Sequence, residues 1–240
     1  MKIVSNRLLS LFVLASAVLM TGCATKFERQ AFNGEAAAHI KTITLPQWND
    51  AEENAAVVIN HPGNSFGLIG MAVAAADTAS KTKKLNEVVP PATAKVTTAF
   101  YNEALPLLKS MGYEVIVVPA KRGDKFDDVK AALNKPQGQD ASLFLTMGAG
   151  YNAAGASTDY FPAMAVIATL TDIKSNKVVY NEIYQYGYNT GDKEVIFVAA
   201  APDCKFKDID ALTANPDKTR TCLMAGPALL AKQITSDLKK

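Results

Sequence analysis

The spacing of hydrophobic positions along this chain changes several times, and each change marks an element. Ile40, Thr42, Ile43 and Leu45 suit a short strand that Pro46 ends, and residues 55–60 read as a second strand closed by His61-Pro62-Gly63. From 92 to 111 the period becomes helical. Val96, Phe100, Ala104, Leu107, Leu108 and Met111 recur at steps of three and four, with Pro106 as a kink and Gly112 as a stop. Residues 113–118 predict a strand that Pro119 ends, and 124–133 a short helix with acids in its first turn. Residues 141–147, apolar nearly throughout, predict a central strand covered on both faces. A hairpin follows, 163–170 against 177–186 across Asp172-Ile173-Lys174-Ser175-Asn176. Then come a further strand at 195–201, a short helix at 206–212, and a final helix at 218–238. That last helix buries Leu223, Leu230, Ile234 and Leu238 and bends or begins at Gly226-Pro227. This order implies an α/β (α+β mixed) fold, with a single mixed β-sheet, helices packed on it and a C-terminal helix.

One segment does not fit the alternation. Residues 63–80 form an apolar Gly/Ala-rich insert, and 66–76 within it carry no charge. As a helix the uncharged stretch spans about 16 Å, roughly half a bilayer core, so it does not cross a membrane as one helix. Gly63 with Gly67, and Gly70 with Ala74, give a small-residue surface that lets another backbone approach. Two readings stand: a helix buried on several faces in its own core, or a contact segment carried by Gly63, Phe66, Gly67, Leu68, Ile69 and Gly70 that meets a membrane or a second chain.

The start of the chain carries an address. Lys2 and Arg7 precede an apolar run from 8 to 20, too short to span a bilayer and of the length of a signal-peptide core. Leu19-Met20-Thr21-Gly22-Cys23 closes it and resembles the lipobox of bacterial lipoproteins, with Met20 where that motif usually has Leu. The resemblance implies cleavage before Cys23 and lipidation of that residue. Ala24 after it, in place of an Asp, implies the outer membrane, periplasmic side. The organisation expected is a lipoprotein signal peptide over 1–22, a lipidated tether over 23–38 and one α/β domain over 39–240.

Of the 25 Lys and Arg, two lie in the leader, so the remainder balances the 23 Asp and Glu. A neutral chain without a basic tract argues against nucleic-acid binding and against electrostatic attachment to lipid headgroups. Once Cys23 is lipidated, Cys204 and Cys222 form an even pair in an oxidising compartment, which predicts a disulfide.

Candidate chemistry is sparse. Gly148-Ala149-Gly150-Tyr151-Asn152-Ala153-Ala154-Gly155 reads as a glycine-rich loop after a strand, but its spacing matches neither a dinucleotide fingerprint nor a P-loop. It is a flexible connection whose Tyr151, with Tyr160 and Phe161, suits a contact surface. His39 and His61 are the only histidines, and His61 and Ser65 lack the context of a nucleophile and its base. Glu52-Glu53 and Asp127-Asp128 are adjacent pairs that do not point together. No enzyme, cofactor or metal site is expected.

The run His61-Pro62-Gly63-Asn64-Ser65-Phe66-Gly67-Leu68-Ile69-Gly70, residues 74–84, Gly155-Ala156-Ser157-Thr158 and Tyr160-Phe161-Pro162, together with Cys23, resemble a family of small outer-membrane lipoproteins of Gram-negative bacteria. The layout is more remotely similar to the α/β domain of the curli secretion-channel lipoprotein and to the amino-terminal domain of the periplasmic Tol propeller protein. The apolar insert, with no plausible catalytic set beside it, points to a non-enzymatic periplasmic adaptor or assembly factor held at the outer membrane through Cys23, with an envelope protein partner or a second copy of itself. The alternatives are a subunit of an oligomeric secretion pore, and a ligand-binding module or hydrolase.

Overall fold

The structure is a computed structural model that describes residues 27–239; Cys23 and the leader lie outside the described residues. Its strands are β1 (Thr42–Trp48), β2 (Ala55–Val58), β3 (Glu114–Ala120), β4 (Ala141–Ala153), β5 (Tyr160–Asp172), β6 (Lys177–Gly187) and β7 (Val195–Val198). They form one mixed sheet in the order β3-β1-β4-β5-β6-β7, with β2 paired to the far end of β4. The hairpins β4–β5 and β5–β6 are antiparallel, and every other pair is parallel. The helices are α1 (Gly67–Val88), α2 (Pro91–Ala94), α3 (Val96–Ser110), α4 (Phe126–Leu133), α5 (Ile209–Thr213) and α6 (Pro216–Asp237).

Neither Pro46 nor Pro119 ends its strand, contrary to expectation. β3 is an edge strand, and strand alternation turns the nitrogen of Pro119 away from β1, where no ladder bond is needed. The nitrogen of Pro46 turns toward β4. There β1 has already diverged, because it pairs with β4 only at Ile43 and Thr44. The helical pattern at 92–111 splits in two, since Lys95 adopts a left-handed conformation (φ 45°) between α2 and α3. The glycine-rich loop is also overturned. Residues 148–153 continue β4, and Gly150 lets β2 approach, since a Cβ there would sit 2.0 Å from the Ala55 carbonyl oxygen.

The core lies between the sheet and the helices α3 and α6. Tyrosines fill much of it, and several of their buried hydroxyls have a backbone acceptor that offsets their desolvation, while Tyr184 donates to Asp237 instead. Tyr101 donates to Pro46 O at 2.7 Å, Tyr151 to Thr219 O at 2.7 Å and Tyr186 to Cys222 O at 2.8 Å. Burial pushes the Tyr101 and Tyr151 phenols far up and Tyr113 to about 12, so all three stay neutral. Gly226 sits where Tyr186 presses against α6, and a Cβ there would lie 2.7 Å from the ring. The helix runs unbroken through Gly226-Pro227, and the missing side chain at Gly226 admits the Tyr186 ring. Cys222 on α6 is disulfide-bonded to Cys204, with the Cα atoms 5.5 Å apart.

The described part of the segment expected as a tether is docked. Gln30 exchanges backbone hydrogen bonds with Asn181, Arg29 pairs with the buried Glu182 at 2.6 Å, and Phe32 meets Tyr180 edge-on. Ala37 and Ile40 are buried in the core.

Candidate functional site

The contact segment begins in a tight turn. Pro62–Ser65 is a 3-10 helix capped by His61, whose Nδ1 accepts from Gly63 N at 3.0 Å. Gly67 then takes φ +63°, a left-handed link that a glycine adopts without cost, and α1 starts there with no side-chain cap. Gly63 and Gly70 face each other. A Cβ on Gly63 would lie 2.3 Å from Gly70 O, and one on Gly70 2.1 Å from Gly63 O. Within the chain itself, Gly63 and Gly70 thus make a close backbone approach that any side chain would block.

The second half of α1 is bolted to the domain by polar contacts. Ala56 N donates to Thr82 Oγ1 at 3.0 Å, Asn54 N to Asn86 Oδ1 at 2.9 Å, and Lys84 pairs with Asp210 at 3.0 Å. Asp77 binds Lys81 at 2.6 Å and lies 3.5 Å from His61 Nε2. Leu85 is fully buried. The first half is not held this way. Its inner line is Gly70 and Ala74, while Phe66 is 75% exposed, Leu68 85%, Ile69 82%, Met71 55% and Val73 58%. Within this chain the first half of α1 is therefore not buried on several faces, and its large apolar side chains lie at the surface. Met71 and Val73 extend the surface beyond the residues singled out from sequence; the signal was there, since the uncharged run continues past them.

The other expected residues scatter. Tyr151 is fully buried and Tyr160 nearly so, so neither lines a contact surface; only Phe161 is half-exposed. His61 is spent on capping and on Asp77, and no bond joins it to Ser65. His39 sits with Asp172 at 2.8 Å. Though burial pushes the Asp172 carboxyl up, the Ser175 amide and His39 hold it below the usual carboxylate range. The amides of Thr42 and Lys41 do the same for Asp140. Among the described residues, no group of three or more His, Cys, Asp or Glu is placed to hold a metal ion.

No family model and no curated protein matches the chain. Solved structures do. A PelC dodecamer from Paraburkholderia phytofirmans is 10% identical over 89% of this chain and 96% of that chain, with a TM-score of 0.33. A lipoprotein from Neisseria meningitidis is 14% identical over 64% and 86%, with a TM-score of 0.27. A protein from Xanthomonas campestris is 10% identical over 89% of both chains, with a TM-score of 0.34. At TM-scores and identities this low, the likeness names neither a family nor a task for this chain.

Proposed function

We propose that this protein is a non-enzymatic adaptor or assembly factor of the cell envelope, held by a lipid on Cys23 at the periplasmic face of the outer membrane. Its working surface in this reading is the start of α1, presented to an envelope protein. The observation that carries the reading is the exposure of Phe66, Leu68, Ile69, Met71 and Val73 on a helix whose other half is anchored. Fully burying one such side chain is worth about 1.5–3 kcal/mol, so five together supply a strong drive to associate. No helix among the described residues is long and apolar enough to cross a membrane, and attachment in this reading rests on Cys23.

Photo-crosslinkers at positions 66 and 73 in intact cells test it. A discrete protein adduct that disappears in Leu68→Asp/Ile69→Asp supports the reading, as does retention of Cys23→Ser in the soluble periplasmic fraction. An adduct of twice the chain's own mass replaces the partner with a second copy, and an adduct to lipid replaces it with the bilayer. Absence of any adduct, with the double variant fully functional in cells, sinks the contact idea.

A further inference from the structure

The face of the sheet turned away from α3 and α6 is open over its middle. Side chains there are small, with Gly148 and Gly150 on β4 opposite Ala165 and Ala163 on β5. The β1 side of β4 is also open between residue 142, where β1 leaves, and residue 150, where β2 begins. Two side chains cross that gap. Trp48 Nε1 donates to Leu145 O at 2.6 Å, and Arg122 Nη1 donates to Met147 O at 3.3 Å. Arg122 is fixed further through Nε to Asn49 O at 3.0 Å and Nη2 to Thr97 Oγ1 at 2.9 Å, and its backbone N–H donates to Asn49 Oδ1 at 2.8 Å.

The guanidinium has five N–H donors, and three are taken, all by neutral oxygens. Among the described residues no carboxylate forms an ion pair with Arg122; Asp50, Glu53 and Asp124 line the hollows around it without reaching that distance. Arg122 stands between two hollows that share Gly148 and Ala165. One, of about 270 Å³, is walled by Trp48, Phe126, Met147 and Ile167; the other, of about 360 Å³, runs toward Gly150 and Gln185. Phe126 packs edge-on to Trp48 with centroids 5.5 Å apart and remains 55% exposed.

We propose that this trough binds a small organic carboxylate with an apolar tail. The two uncommitted donors of a braced guanidinium fork suit the two oxygens of a carboxylate, which pairs with the guanidinium in the bidentate way. The tail lies in the hollow of Trp48, Phe126 and Ile167, where it covers apolar surface now in water. The floor admits it, since a Cβ on Gly148 would meet nothing within 4 Å. The size of that hollow suits a ligand at the small end of the usual range for ligand pockets.

Trp48 is the only tryptophan in the chain, so its fluorescence reports on this site alone. The experiment titrates the full chain carrying Cys23→Ser with hexanoate, and in parallel with hexanamide, its neutral counterpart. The expected result is a saturable change in Trp48 emission with hexanoate and binding of hexanamide at least about tenfold weaker, a difference of about 1.4 kcal/mol. Arg122→Gln removes the difference between the two ligands. Because Arg122 also braces β1 against β4, that variant is paired with Ala165→Glu. This second change sets a tethered carboxylate on an exposed position of the trough and weakens hexanoate at least about tenfold while the melting temperature holds. No saturable change at millimolar hexanoate overturns the proposal. So does equal binding of the amide, or an Ala165→Glu chain that binds hexanoate like the parent.

Discussion

Two helices of 22 residues each, α1 and α6, meet the domain in opposite ways. α6 is the more polar, yet it buries Cys222, Leu223, Gly226, Pro227, Leu230, Ala231 and Ile234 along one stripe. α1 opens with an uncharged run of apolar residues, yet its buried positions are Gly70, Ala74, Thr82 and Leu85. The difference lies in phase. In α6 the large apolar residues flank the one glycine on the same face, so Tyr186 fits at Gly226 while Leu223 and Leu230 fill the space on either side. In α1 the small residues take the inner line and the large ones project from the remaining faces. Apolar content sets how much a helix has to bury; the order of large and small residues sets which face buries it.

The sharpest way to break this comparison is to truncate one leucine on each helix. Leu230→Ala should cost about 2–5 kcal/mol by cavity formation, whereas Leu68→Ala should stay within about 0.5 kcal/mol. Urea denaturation measures both, and comparable losses would mean that the start of α1 is packed after all. Next in size is the disulfide that ties α6 to the segment after β7. Reducing Cys204–Cys222 opens a loop of 18 residues and should lower stability by about 3 kcal/mol, read as the shift between melts with and without reductant.

Smaller effects separate the two glycines that open α1. Gly70→Ala forces a methyl into Gly63 O and should cost about 1–3 kcal/mol. Gly67→Ala has open space and suffers only from its left-handed backbone, about 1 kcal/mol. If Gly67→Ala proves the more damaging in thermal melts, the turn is not built on the contact between Gly63 and Gly70. At the opposite end of the sheet, Asp140 binds the amides of Lys41 and Thr42, and Asp172 binds that of Ser175. Both carboxyls titrate lower in the folded chain than in the unfolded one. Their stabilisation is complete above the unfolded carboxylate value and disappears as pH falls through the lower folded value. Asp140→Asn should therefore cost about 1 kcal/mol at neutral pH and progressively less on acidification, which a pH series of denaturation curves checks. The least effect on folding belongs to Leu68→Ser/Ile69→Ser, which should leave the melting temperature unchanged and reduce retention on a hydrophobic-interaction column.

How much of this was readable beforehand varies by residue. The hairpin from β5 to β6 came directly from alternation and its turn, because both are local. Pro46 and Pro119 misled, since whether a missing N–H matters depends on which neighbour stands on that side of the strand. Tyr151 misled for a similar reason. Its glycine-flanked stretch resembles a loop, and pairing with β5 on one side and β2 on the other makes it strand, with the ring turned toward α6. Arg122 gave no signal at all, because its acceptors Asn49, Thr97 and Met147 come from three separate parts of the chain.

By itself, the sequence determined the alternation of strands and helices, the cysteine pair, the near balance of charge and the presence of an uncharged segment over 66–76. These follow from local periodicity and from composition, which carry over into any arrangement of the chain. Tertiary structure alone decided that the segment turns outward and that the Arg122 side chain is held by neutral oxygens over a bare stretch of sheet. Exposure and pairing depend on distances between residues far apart in the chain, and those distances exist only once the sheet has assembled.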